Sequence, residues 1–306
     1  MYQSSDLLAA VMRVPTMTTI SRFKHYLQLT KPSIMLLVLV TGATGLVMEG
    51  SLTAQPAKFL LVMLGLFCTG GSANALNQYF ERDIDGRMTR TRKRRPLPMG
   101  HISAASALGF AILIGIAGVA ILAVCFNIFS ALLALGTVVF YGFFYTLWLK
   151  PITHQNIVIG GAAGAMAPVI AWVAASGSLA IAPCLLFLII FLWTPPHFWA
   201  LALCLKEDYE KVNLPMLPVV KGDEATLTQM YYYTLALVAI SFGLLAYGMG
   251  LLYLVVAAVL GAVFIRKAFT ARKYRTLALE RGLFRYSIVY LFVLFFAIIV
   301  EGIVAF

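Results

Sequence analysis

Charge is what this chain has least of. Of its 306 residues only 11% are Asp, Glu, Lys or Arg, and 61% are hydrophobic. A soluble domain carries about 25% charged residues, so an ordinary soluble fold is excluded. Carboxylates are the scarcer sign, with 12 acidic residues against 23 basic ones. Any acidic cluster therefore asks for a reason. Cysteine is rare too: Cys68, Cys125, Cys184 and Cys204 are scattered, and no pair has metal-site spacing or suggests a disulfide framework. They read as small hydrophobic residues of a helix bundle. Segments of about ten residues with alternating polarity are missing, which excludes a membrane β-barrel. The N-terminal stretch has no basic–apolar–small pattern of a cleaved signal.

What the chain has instead is apolar runs, each long enough to cross a bilayer as a helix. Nine spans are predicted, at 33–50, 57–80, 104–124, 128–148, 156–175, 182–203, 228–247, 250–266 and 286–304. The class is an all-α polytopic membrane protein. The basic residues then set its orientation. Alternating the nine spans puts 22 of the 23 Lys and Arg on one side, Arg13 of the N-terminal tail among them, and only Lys58 on the other. The expectation is a cytoplasmic N-terminus and a C-terminal Phe306 outside. The net charge of +11 is thereby a consequence of topology and gives no reason to expect nucleic acid. Residues 1–32 read as a cytoplasmic N-terminal segment. Its "TISRFKHYLQLTKPS" forms an interfacial helix with Ile20, Phe23 and Leu27 on one face. Residues 33–306 read as a single nine-helix domain.

An internal repeat is discernible. Lys31-Pro32 opens the first span, with Gly42 and Gly45 following; Lys150-Pro151 opens the fifth, with Gly161 and Gly164 at the same offsets. A parallel four-helix repeat over 31–148 and 150–266 accounts for this. So does the ordinary placement of proline in a first helical turn and of small residues at helix contacts.

The repeat predicts related polar segments after spans two and six, and both exist. The first is "NQYFERDID", residues 77–85. If helix continues through it, Asn77, Glu81 and Asp85 stack at i, i+4 and i+8 with Asn74 nearby, while Asp83 points elsewhere. Such a ladder of hard oxygen ligands suits Mg²⁺, which takes one or two carboxylates together with substrate phosphates. Downstream, Arg90 and Arg94 offer charge to phosphate oxygens. The simpler account makes these carboxylates solvated salt-bridge partners of a basic loop. The second segment is "LKEDYEKVNLP", with Lys206, Glu207, Asp208 and Glu210. A secondary transporter is disfavoured, because transporters place ionisable groups near the bilayer midplane and these acids gather at one face.

His197 lies inside the sixth span, behind Pro195 and Pro196. The two prolines remove amide donors and are expected to kink the helix. On the residues alone, His197 bonds a freed carbonyl or a neighbouring helix. Tyr231, Tyr232 and Tyr233 read as an interfacial aromatic belt.

"ALNQYFERDIDGRMTRTRKRRPLPMG" resembles the first Asp-rich motif and following loop of the UbiA superfamily of intramembrane prenyltransferases. "WTPPHFWALAL", "KEDY" and "LPMLPVVKG" resemble the branch of that superfamily that farnesylates haem. The resemblance implies nine helices around a central cavity with cytoplasmic cap loops. It implies Mg²⁺ bridging a prenyl diphosphate between the two motifs, with Asn77, Glu81, Asp85 and Asp208 on the metal side and Lys206 near the diphosphate. Arg90, Arg94, Lys31 and Lys150 are the expected further diphosphate contacts, and His197 the expected haem contact. Glu81 stands where many members have Asp. The second motif departs from the common D-x-x-x-D, since position 212 is Val. The implied reaction is farnesyl transfer from farnesyl diphosphate to a vinyl group of haem B, giving a hydroxyethylfarnesyl side chain. The alternative acceptor is a quinone precursor or a chlorin. A bacterial inner membrane and a downstream haem A synthase or haem–copper oxidase assembly complete the expectation.

Overall fold

A computed structural model describes residues 19–304. Arg13, most of the N-terminal segment and Phe306 lie outside the described residues. Among the described residues, nine helices are long and apolar enough to cross a membrane: Pro32–Glu49, Pro56–Phe80, Ala104–Cys125, Ile128–Ile152, Asn156–Ser176, Ile181–Cys204, Gly222–Tyr247, Leu251–Tyr274 and Leu277–Val304. They are spans one to nine below. The protein is a multi-pass membrane protein.

Several helices outrun their apolar windows. Span seven starts at Gly222 and span nine at Leu277, while span eight continues to Tyr274. Polar residues at a helix end cost little, since water or headgroups satisfy them. The starts follow local chemistry. Pro32 and Pro56 sit in first turns, where no amide is missed. Ser103 and Asn127 cap spans three and four, their side-chain oxygens accepting from Ser106 N at 3.1 Å and Ser130 N at 2.8 Å.

Spans one to four pack in sequence, span five joins span one to span six, and span nine closes the bundle against spans six, eight and one. Span five breaks at Met166, between Asn156–Ala165 and Ala167–Ser176. There Gly45 of span one approaches so closely that a Cβ would meet Pro168 O at 2.5 Å; only glycine fits. Span four widens into a π-helix over Phe140–Leu149, a feature often found at functional sites. Span six runs unbroken through Pro195 and Pro196.

One end of the bundle carries the short helices Arg82–Arg87, Lys206–Lys211 and Leu217–Val220. The amphipathic helix Thr19–Leu29 is tied to the same end by span two. Gln78 Nε2 donates to Gln28 O and Leu29 O at 3.1 and 3.0 Å, and Asn74 Nδ2 to Thr30 O at 3.1 Å.

Candidate active site

Span two delivers the first cluster. Its helix stops at Phe80 and turns at Glu81 before resuming as Arg82–Arg87. The i→i+4 bonds survive the turn: Glu81 N donates to Asn77 O at 3.0 Å and Asp85 N to Glu81 O at 2.8 Å. Asn77, Glu81 and Asp85 therefore keep the ladder register although the helix is not continuous. All three are buried, at 2%, 4% and 2% exposure, while Asp83 is exposed beside Arg82.

Burial of two carboxylates costs several kcal/mol per ion unless cations answer them, and three do. Lys150, at the end of the π-helical turn, pairs with Glu81. Arg95 pairs with Asp85 and lies 3.6 Å from Glu81. Lys31 Nζ donates to Asn77 Oδ1 at 2.7 Å, and Asn77 Nδ2 donates to Thr146 Oγ1 at 3.2 Å. Lys31 and Lys150, the two lysines that open the repeat units, thus converge on one ladder. Lys31 is held there with a left-handed backbone, φ 54° and ψ 70°, although it precedes a proline. That conformation costs about 1–3 kcal/mol and persists where surroundings over-determine it.

The charges perturb one another. Desolvation, with Arg95 and Lys150 adding repulsion against the pull of Glu81 and Asp85, pushes the Lys31 pKa down to about 7. Desolvation pulls the Glu81 pKa up, but Lys150, Arg95 and Lys31 together outweigh it and leave it lowered. Asp85 goes the other way: desolvation, with the neighbouring Glu81 charge, prevails over Arg95 and raises it.

The second cluster is built differently. Asp208 is buried, but its carboxylate accepts from Arg90 N at 3.0 Å and Thr89 N at 3.4 Å, with Lys211 at 3.7 Å. Desolvation works against these contacts, yet they leave the Asp208 pKa lowered. Lys206 turns away to Asp223, at 2.8 Å. A single loop joins the clusters: its residues 89 and 90 rest on Asp208, and its Arg95 reaches Asp85. Arg90 has a buried, unpartnered Nε, and Arg94 is exposed. Sequence reasoning passed over Arg95, because a loop of turns has no period that says which arginine of "RTRKRR" faces inward. Thr146 was missed for a related reason, since the π-turn shifts the α-helical register.

Among the described residues no group of three or more His, Cys, Asp or Glu could by itself hold a metal ion. The donors present, two carboxylates and an amide oxygen, fit a Mg²⁺ ion that completes its shell with phosphate oxygens. Lys31, Lys150 and Arg95 stand beside these donors, and their positive charge is of the sign that phosphates require.

His197 lies in a separate, aromatic setting. Its ring stacks on Trp193 and Phe284, with centroids 4.2 and 4.8 Å away. Its Nδ1 is 2.7 Å from Ser287 Oγ, and that hydroxyl donates to Phe284 O at 2.7 Å. With the hydroxyl proton assigned to that carbonyl, Nδ1 is the donor to Ser287 Oγ and Nε2 keeps its lone pair.

A model of the UbiA prenyltransferase family matches residues 38–299. The chain is 46% identical over 306 residues to a protoheme IX farnesyltransferase of Gloeobacter violaceus, covering 99% of each. It is also 46% identical over 285 residues to that of Synechocystis, covering 91% of this chain and 89% of the relative. Among solved structures, a digeranylgeranylglyceryl phosphate synthase superposes with TM-score 0.77 at 21% identity, over 92% of this chain and 99% of the other. A UbiA homolog from Archaeoglobus fulgidus bound to GPP and Mg²⁺ gives 0.64 at 19%, over 90% and 99%. At these identities the structures establish a shared fold.

Proposed function

The chain belongs to the UbiA prenyltransferase family, and from that premise we propose that it farnesylates haem B at the site built on Asn77, Glu81 and Asp85. The observation that carries the site is the burial of two carboxylates among three cations at one end of a membrane bundle. The enzyme is a protohaem IX farnesyltransferase. Farnesyl diphosphate loses its C1–O bond, the electron pair leaving with the diphosphate. A haem vinyl group attacks the allylic carbon, and water captures the resulting cation and gives up a proton, yielding haem O, diphosphate and H⁺. Asn77, Glu81 and Asp85 would hold a Mg²⁺ ion together with the diphosphate, and that ion would supply Lewis-acid stabilisation of the departing charge. Lys31, Lys150 and Arg95 orient the diphosphate and meet that charge from fixed positions. Asp208 fastens the loop that carries Arg90 and Arg95 over the site. The aromatic stack and the Ser287 bond hold His197 with Nε2 free to contact the haem iron, the second-partner arrangement common to metal-binding histidines.

The fold is read as one nine-helix domain built on repeat units 31–148 and 150–266. In support, Gly42 packs on Leu66 of span two as Gly161 packs on Thr194 of span six. The charge bias favours both motifs in the cytoplasm, and the bacterial relatives favour an inner membrane. Haem A synthase or haem–copper oxidase assembly would follow.

The deciding experiment gives purified protein haem B, farnesyl diphosphate and Mg²⁺, and reads the product by mass. Absence of the farnesylated, hydrated haem sinks the proposal. His197→Ala should weaken haem binding and move its absorption spectrum while leaving farnesyl diphosphate binding intact. A fall in prenyl binding with an unmoved spectrum assigns His197 to structure alone. For orientation, a cysteine at Gly86 in a cysteine-free background should be labelled only once the inner face is opened, and one at Ser51 in intact cells. The reverse pattern inverts the topology.

A further inference from the structure

The reaction leaves a question of orientation. Haem B carries two propionates, anionic at neutral pH, on the edge of the ring opposite its vinyl groups. Carboxylates taken toward a membrane interior need cations. Those of the ladder answer its own carboxylates and amide. A second set stands beside His197, where spans six and nine meet and run antiparallel. Trp193 Nε1 donates to Ser287 O at 2.7 Å, His197 stacks on Phe284, and Arg281 donates to the thiol of Cys204. His197 and Cys204 are seven residues apart, so they share a face of span six at about 10 Å.

On span nine, Arg281 and Arg285 are one turn apart, on a stripe next to Phe284. Both are exposed. Among the described residues neither is paired with a carboxylate, whereas Arg275 at the same end is held by Glu224 at 2.8 Å. Glu280, the carboxylate next to Arg281 in sequence, is buried, and Asp223 and Lys206 are the charges that act on it. Two guanidinium groups thus stand open to anions, and a guanidinium fork matches a carboxylate in shape and charge. The dimensions agree. From haem iron to a propionate carboxylate is roughly 8 Å, from bond lengths of about 1.4–2.0 Å. Along span nine, Arg285 is about 3 Å and Arg281 about 9 Å nearer the loop end than Ser287, the partner of His197. An iron at the level of His197 places propionates directed to that end at the level of these two side chains.

We infer that Arg281 and Arg285 bind the two propionates of haem B and so turn its vinyl edge away from span nine, into the bundle. The inference rests on the reading of His197 as a haem contact. It divides the work of holding the acceptor. His197 sets the position of the iron, and the two arginines set which edge of the ring is presented to the allylic carbon, where orientation governs the rate.

The test titrates haem B, and its dimethyl ester with uncharged propionates, into the purified protein and follows the haem absorption band. The native protein should bind haem B about tenfold or more tightly than the ester, the worth of a charge-assisted contact. Arg281→Gln combined with Arg285→Gln should weaken haem B by about the same factor and leave the affinity for the ester unchanged. The absorption maximum of the saturated complex should not move, because His197 is intact, and farnesyl diphosphate binding should hold. Arg281→Lys combined with Arg285→Lys should recover part of the loss. A double Gln variant that keeps native haem B affinity and the preference over the ester overturns the inference, assigns the arginines to lipid headgroups at the membrane surface, and leaves the function standing. A native protein that binds neither haem B nor the ester removes the reading of His197 and the inference with it.

Discussion

The segments after span two and span six look alike as sequence, acidic, basic-flanked and at the same end of the bundle. The structure makes them opposites. After span two, Glu81 and Asp85 are buried and held by side chains that carry full charge, Lys150 and Arg95. After span six, Asp208 is held chiefly by backbone amides of residues 89 and 90, and Lys206 is drawn off by Asp223. Charges fixed against charges form a site that an incoming anion and cation can rebalance. A carboxylate fixed against amides forms a fastening. Acidic density in the sequence flags both equally, and burial is common to both; only the partners tell them apart.

This contrast is broken or sharpened by substitution. The largest effect belongs to the ladder. Glu81→Gln or Asp85→Asn should lower kcat by about 10²–10³-fold, as removal of a charge-stabilising group does, with unchanged elution of the folded protein. Near-native turnover in both would remove the metal role. Lys150→Met comes next. It takes away the cation nearest Glu81, and KM for farnesyl diphosphate should rise about tenfold, the usual cost of a charge-assisted contact. A change confined to haem affinity would place Lys150 outside the diphosphate site. Asp208→Asn should cost less still, about fivefold in kcat/KM, because the amide oxygen still accepts one of the two loop N–H groups. If Asp208→Asn proves as damaging as Glu81→Gln, Asp208 is a metal-side ligand and the contrast fails.

How much of this was legible beforehand follows from the periods involved. The spans and the Asn77–Glu81–Asp85 register were readable, because an apolar run and an i, i+4 stripe each have a fixed geometry. The helix break at Glu81 was not, and it did not matter, since the i→i+4 bonds carried the register across it. Lys31 and Lys150 were visible as repeat markers, and the family resemblance already placed both at the diphosphate. Their bonds to Asn77 and Glu81 were not visible, for these depend on how spans one and four pack against span two. Arg95 was hidden in a run of basic residues that is neither helix nor strand. His197 showed its prolines and neighbours in sequence, but the partner that fixes its tautomer, Ser287, lies 90 residues away.

The smallest expected effect is the most specific to the ladder. Lys31 sits there with its pKa lowered to about 7, against about 10.4 in an unfolded chain. Between those values the unfolded chain binds the extra proton, so this group makes the fold more stable as pH rises. Prenyl diphosphate binding has the opposite sign. The bound anion favours the ammonium form, so binding above pH 7 takes up a proton and affinity falls as pH rises, by at most about tenfold per unit. Titration of the diphosphate itself is common to every variant and cancels in comparison. Lys31→Arg replaces the group with one that stays charged, and should flatten the slope between pH 7 and 9 while keeping affinity at neutral pH within about threefold. Calorimetry in buffers of different ionisation enthalpy counts the proton directly. Equal proton uptake by the native protein and Lys31→Arg would show that Lys31 is already charged before the ligand arrives. The ladder would then resemble the Asp208 fastening, a set of settled contacts, more than a site waiting for its anion.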